Sequence, residues 1–275
     1  MTRSILLTMC LAACAGYRLD ADTDRKGTGD TGSTPDTDSD TDTDADSDTD
    51  IDVDSDTDTD TDTDSDTDTD TDSGAVPWSN TGIVDGATSE YGPDETFATT
   101  GGTAYITWDA TDLFVAVQHA DVGGGGALHW LQLYLGDGSG TGATSGVPHN
   151  TQQPDLPTPM STLVRWKADG SFDSLETWSG SEWTSTEFWL GTEGSALAED
   201  DASSIVEMRI PLALVGATDT LDLHMAWVYE GPGYESTYAA TPAVSFVDGY
   251  DPDFASWYRF DLQGPTPPSD TRPSP

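Results

Sequence analysis

From Asp36 to Asp72 every second residue is aspartate, and this run decides how much of the 275-residue chain can fold. A period of two matches a β-strand, and threonine favours strands. A strand here, however, would put carboxylates about 7 Å apart along one whole face. The other face would hold only threonine and serine, interrupted by Ala45, Ile51 and Val53. Nothing apolar is available to offset the ordering entropy, so the segment is expected to stay disordered. Its like charges lie within one Debye length of each other and stretch it. From Thr34 to Asp72 the chain can reach at most roughly 130 Å. An EF-hand loop would need glycine at its sixth position and glutamate at its twelfth, and RTX repeats need glycine pairs. The run has neither, so it reads as a stalk.

What precedes the stalk explains it. "MTRSILLTMCLAAC" opens with Arg3 and continues through a short apolar run from Ile5 to Ala13. That run is too short to span a bilayer but fits the apolar region of a secretory signal. Leu11-Ala12-Ala13-Cys14 resembles the lipobox of bacterial lipoproteins. The resemblance implies cleavage before Cys14 and acylation of its thiol, with Cys10 lost in the signal. Ala15 in place of aspartate after the cysteine implies sorting to the outer membrane. Two or three acyl chains hold firmly, where one alone is marginal. The partner expected at this end is therefore the membrane.

Gly74 to Gly264 carries 27 acids against Arg165, Lys167, Arg209 and Arg259. Phosphate binding needs a basic face, so nucleic acid is excluded as a partner. The block is long enough to bury roughly 70% of its extended surface in one core. Its lack of cysteine removes disulfides and thiolate metal sites. No apolar stretch in the chain reaches the roughly 18 residues of a spanning helix.

The block reads as strands. Residues 103 to 121 form two alternating runs around Asp109-Ala110-Thr111-Asp112, a hairpin. Leu131, Leu133 and Leu135 share one face of the next run. A second hairpin turns at Asp169-Gly170 and a third at Ser179-Gly180-Ser181. Val206, Met208 and Ile210 point inward from a strand that Pro211 stops. Leu221, Leu223, Met225 and Trp227 line one side of another strand, and "SWYRFDL" closes the domain. Short strands at regular spacing, parted by glycine and proline, predict an all-β fold, a single antiparallel β-sandwich. The organisation predicted is a signal peptide at 1–13, a stalk at 14–73, the sandwich at 74–264 and a flexible proline-rich tail at 265–275.

"DGATSEY", "YITWDATDLFVAVQHAD", "LQLYLGDG" and "VEMRIPLALVG" resemble carbohydrate-binding module family nine and the related DOMON-like sandwiches. In those domains an Asp-Gly opens the module, a W-D-x-x-x-L-Y-V-A-V hairpin follows, and an E-x-x-I-P strand comes near the end. Phe114 stands here where tyrosine is usual. The resemblance covers most of 83 to 263 and implies a sandwich that binds sugar on stacked aromatics, or haem in some DOMON branches.

Trp166, Trp178, Trp183 and Trp189 fall within 24 residues, on candidate hairpin strands and their ends. Sugar C–H groups pack on the negative face of an aromatic ring, so these four are candidate ligand contacts. Trp178 and Trp183 flank one turn and are placed to form a clamp. The same four residues equally suit packing between sheets, whereas Trp108, Trp130 and Trp227 sit mid-strand and read as core. "VDGYDPDF" gathers Asp248, Asp251 and Asp253 around Gly249, which suits either an ordinary turn or a structural calcium. The related modules often carry such an ion.

Other chemistries find little support. "GDGSGTGA" contains G-x-G-x-x-A after a strand, but Pro148, Pro154 and Pro157 bar the helix a dinucleotide site needs. That segment is expected to be a long surface loop. His119, His129, His149 and His224 show no ligand spacing, and no serine lies in G-x-S-x-G. Met208 and Met225 sit on core faces, which disfavours haem ligation. Glu199 and Asp200 have nothing in their spacing to mark a hydrolase. The sequence thus predicts a non-catalytic, outward-facing lipoprotein of the outer membrane that binds a polysaccharide or envelope glycan. The alternative is a structural or adhesive surface protein that recognises another protein.

Overall fold

The computed structural model describes residues 75–275 except 124, 245, 247 and 248. The signal, Cys14 and the acidic repeat lie outside the described residues. In chain order the strands begin with β1 (Thr96–Thr99), β2 (Gly102–Trp108), β3 (Asp112–His119), β4 (His129–Gly136) and β5 (Ala143–Ser145). There follow β6 (Asp155–Met160), β7 (Thr162–Lys167), β8 (Asp173–Trp178), β9 (Trp183–Glu187) and β10 (Ala196–Asp200). The remainder are β11 (Ile205–Pro211), a single helical turn α1 (Leu212–Val215), β12 (Thr220–Gly231), β13 (Tyr234–Thr241), β14 (Trp257–Asp261) and β15 (Pro273–Ser274).

A five-stranded sheet, β1-β2-β3-β11-β10, faces an eight-stranded one, β15-β14-β12-β4-β7-β8-β9, with β13 also on β12. The twelve-residue β12 serves two neighbours on one side. Thr220–Leu223 pairs with β14 and Met225–Gly231 with β13, with a bulge between Trp227 and Val228. Every strand pairing is antiparallel.

The alternation in the sequence sets the core. Ile106, Leu113, Val115, Val206, Met208 and Ile210 from the smaller sheet meet Leu131, Leu133, Leu135, Leu223, Met225 and Trp227 from the larger. Each buried aliphatic side chain contributes about 2 kcal/mol through burial. The hairpins at Asp169-Gly170 and Ser179-Gly180-Ser181 form as expected, with Gly170 and Gly180 at positive φ.

Two expectations are corrected. The segment after β4 is not a surface loop. β5 and β6 form a two-stranded sheet, and Val147, His149, Gln152, Leu156 and Met160 are buried. It roofs the outer face of the large sheet, closing a second cluster of Tyr134, Val147, Leu156, Met160, Leu163, Ala226 and Phe254. Nor is the tail loose. Pro268 is buried, and Pro273 and Ser274 pair with Tyr258 and Trp257. Proline is tolerated in both segments because each lies at the edge of its sheet, where no ladder donor is missed.

Candidate functional site

The β8–β9 turn builds the most distinctive surface feature. Ser179 donates its N–H to the Glu182 carbonyl at 2.9 Å, and its Oγ accepts from the Glu182 N–H at 3.1 Å. Gly180, at φ 98°, takes the left-handed corner that a side chain would disfavour. The turn sets Trp178 directly opposite Trp183, with ring centroids 5.6 Å apart and planes at 60°. Both rings are partly exposed.

The Trp183 indole donates to the Ser145 carbonyl at 3.1 Å, tying the hairpin to the roof segment. The Trp178 N–H has no acceptor among the described residues and is free for a ligand. The two indoles line a cleft of about 400 Å³ with Thr144, Ser145, Gln153, Ser181 and Glu182. Gln153 is fixed by its backbone N–H donating to Asp251 Oδ1 at 2.6 Å and its side-chain amide donating to the Gly146 carbonyl at 2.8 Å. Its Oε1 stays open as an acceptor. The cleft therefore offers aromatic faces, an indole donor, an amide acceptor, a carboxylate and a hydroxyl.

The other two tryptophans do not join it. Trp166 and Trp189 are each 1% exposed and belong to the core. Register explains Trp166, which lies opposite the inward Leu131 and therefore points the same way. Its indole donates to Glu199 Oε1 at 3.1 Å. Trp189 follows Phe188, whose φ of 53° turns the chain back and tucks the next ring under the sheet. Trp108 and Trp227 are buried as expected. Trp130 instead lies on the outer face of β4, partly exposed, its indole donating to Glu230 Oε2 at 2.6 Å.

Of the expected calcium ligands, Asp248 lies outside the described residues. Asp251 accepts the Gln153 N–H, and Asp253 pairs with Asp155 in a backbone bridge, so both serve to pin the roof segment. Among the described residues, one set of three acidic side chains approaches within 4.8 Å, formed by Asp85, Glu90 and Glu207. The Asp-Gly turn and the Glu207 strand, two of the motifs quoted for the family resemblance, meet there. Glu207, fully buried on β11, accepts from the N–H groups of Asp85 and Gly86 at 2.9 and 3.2 Å and from the Tyr91 hydroxyl at 2.8 Å. Burial pushes its carboxyl up from 4.5 to about 6, against the pull of the Tyr91 hydroxyl and the two N–H donors. Both its oxygens already face donors, an arrangement that suits a hydrogen-bonded hub holding the Asp-Gly turn more than a cation cage.

No protein-family model, curated protein or solved structure matches the chain. The cleft residues Ser145 and Gln153 were not legible in the sequence, because proline-rich 137–157 reads locally as a loop. The signal that was present is strand parity. Leu175 faces the core, so Trp178, three residues on, faces away from it.

Proposed function

We propose that the chain is a lipid-anchored surface protein whose sandwich binds carbohydrate without catalysing a reaction on it. The observation that carries this reading is the paired, solvent-reaching Trp178 and Trp183 at a cleft with polar groups around it. A sugar ring presents C–H groups on its faces and hydroxyls on its rim. The first suit an indole face, and the second suit Gln153, Ser181 and Glu182. A glycan array followed by affinity electrophoresis tests it. Trp178→Ala and Trp183→Ala should each abolish retardation; unchanged retardation, or no glycan bound by the native protein, rejects the assignment.

Anchoring rests on Leu11-Ala12-Ala13-Cys14 and places the sandwich outside the cell at the outer membrane. Cys14→Ser should release the protein into the soluble fraction, and full retention in the membrane rejects acylation. Recognition of another protein is a second reading, favoured by the burial of Trp166 and Trp189, which leaves two tryptophans rather than four for a sugar. It predicts a protein ligand whose binding survives both cleft substitutions.

A further inference from the structure

The outer face of the β8–β9 hairpin carries aromatic groups at both ends. Alternation puts Ser174, Glu176 and Trp178 on this face, opposite Glu187, Ser185 and Trp183. At the end away from the tryptophan pair, Phe172 lies just before β8 and Phe188 just after β9. Their ring centroids are 5.3 Å apart, and Phe172 also meets Trp130 at 5.6 Å. Phe188 is 59% exposed and holds a left-handed φ of 53°. A phenylalanine in that region is a genuine outlier, and such strain collects at functional positions.

Between the ends the face is polar: Ser174 and Glu176 of β8 are buried, whereas Ser185 and Glu187 of β9 are exposed. Arg165 donates to Ser174 Oγ at 3.3 Å and pairs with Glu176, which also accepts from the Ser185 hydroxyl at 3.1 Å. Trp183 and Phe188 are five residues apart, about 17 Å along an extended strand. That span is much longer than one sugar ring. The one arginine of this face is already paired, while Glu182 and Glu187 are exposed, in a block of 27 acids and four bases. Apart from Lys167, whose ammonium lies 5.7 Å from the Trp130 ring beside Phe172, the charges around β9 are acidic and oppose a polyanion.

We infer that the hairpin binds a linear, uncharged glycan laid lengthwise along the exposed edge strand β9, with Trp178 and Trp183 supporting one end and Phe188 the other. This rests on the carbohydrate reading above and adds to it the chain length and charge of the ligand. A pocket for a single terminal sugar would use the tryptophan cleft alone.

The test is calorimetric titration of the full mature chain with the di- to hexasaccharides of neutral β-glucan, xylan and mannan, and with oligogalacturonides of matching length. For the neutral series that binds, affinity should rise about tenfold between the shortest and longest members, the gain expected of one extra ring contact. Phe188→Ala should erase that gain and leave disaccharide affinity intact, because the residue is exposed and its removal spares the core. Trp178→Ala should weaken every length. Equal affinity for disaccharide and hexasaccharide, a length gain that survives Phe188→Ala, or tighter binding of the oligogalacturonides overturns the inference while leaving carbohydrate binding in place. Failure of every oligosaccharide to bind overturns both.

Discussion

Glutamine in place of Glu207 should leave stability nearly unchanged in acid and raise it near neutrality. The fully buried carboxyl titrates near 6 in the folded chain, against 4.5 when exposed. The folded state therefore holds the proton more tightly, so the contribution of this group is fully present below pH 4.5 and is lost as pH rises through 6. Between those limits wild-type stability falls by roughly 2 kcal/mol on account of this one group. Glutamine copies the protonated carboxyl. Its carbonyl oxygen can accept from the N–H groups of Asp85 and Gly86, and its amide can donate to the Tyr91 oxygen. Urea midpoints measured from pH 4 to 8 should show the two proteins within about 1 kcal/mol in acid, with the variant gaining roughly 2 kcal/mol on wild type by pH 7.5. Glu207→Ala should instead cost about 3 kcal/mol in acid, since it orphans the N–H groups of Asp85 and Gly86, and about 2 kcal/mol less near neutrality, where wild type has lost that contribution. If Glu207→Gln loses ground as pH rises, the donors around the carboxylate outweigh its desolvation and the reasoning is wrong.

Trp166→Ala should cost about 3–5 kcal/mol in the same urea assay, the usual loss for a buried aromatic ring. Trp178→Ala should cost under about 1 kcal/mol, because its ring is already partly solvated. Removing residues 265–275 should lower stability by about 1–2 kcal/mol, read as a fall in Tm, since it deletes the β14–β15 pairing and the buried Pro268.

The sandwich was legible because its core strands alternate in plain view. Leu131, Leu133 and Leu135 could be assigned inward from their spacing alone, and the register confirms them. The tryptophan cluster was legible only in half. Nearness in sequence says nothing about which face of a strand a ring occupies, and Trp166 and Trp178 sit on opposite faces of neighbouring strands. Parity against Leu175 would have separated them. Trp189 could not be placed that way, because the left-handed turn at Phe188 breaks the alternation and no local rule assigns that conformation to phenylalanine. The roof over the large sheet was missed for another reason. Pro154, Pro157 and Pro159 argue against a central strand, yet among the described residues β6 has β5 as its one strand partner and bonds on its other side only through Asp155, so their missing N–H groups cost little.

The location of the aromatic strip follows from what covers the rest of the large sheet. The roof segment and Phe254 bury the outer faces of β12, β4 and β7 beneath an apolar cluster. β9, by contrast, is both an edge strand and exposed along nearly its whole length, joined to the roof through Trp183. An edge of sequence Trp-Thr-Ser-Thr-Glu is well suited to pair with another strand, which makes it an aggregation hazard. Glu182 and Glu187 bracket it, and the acidic excess of the block opposes approach by a second copy. Those same charges do not hinder a neutral polymer. Trp183 packs on the roof cluster, whereas Trp178 and Phe188 gain little from folding where they stand, and these two rings are what the glycan proposed above would cover.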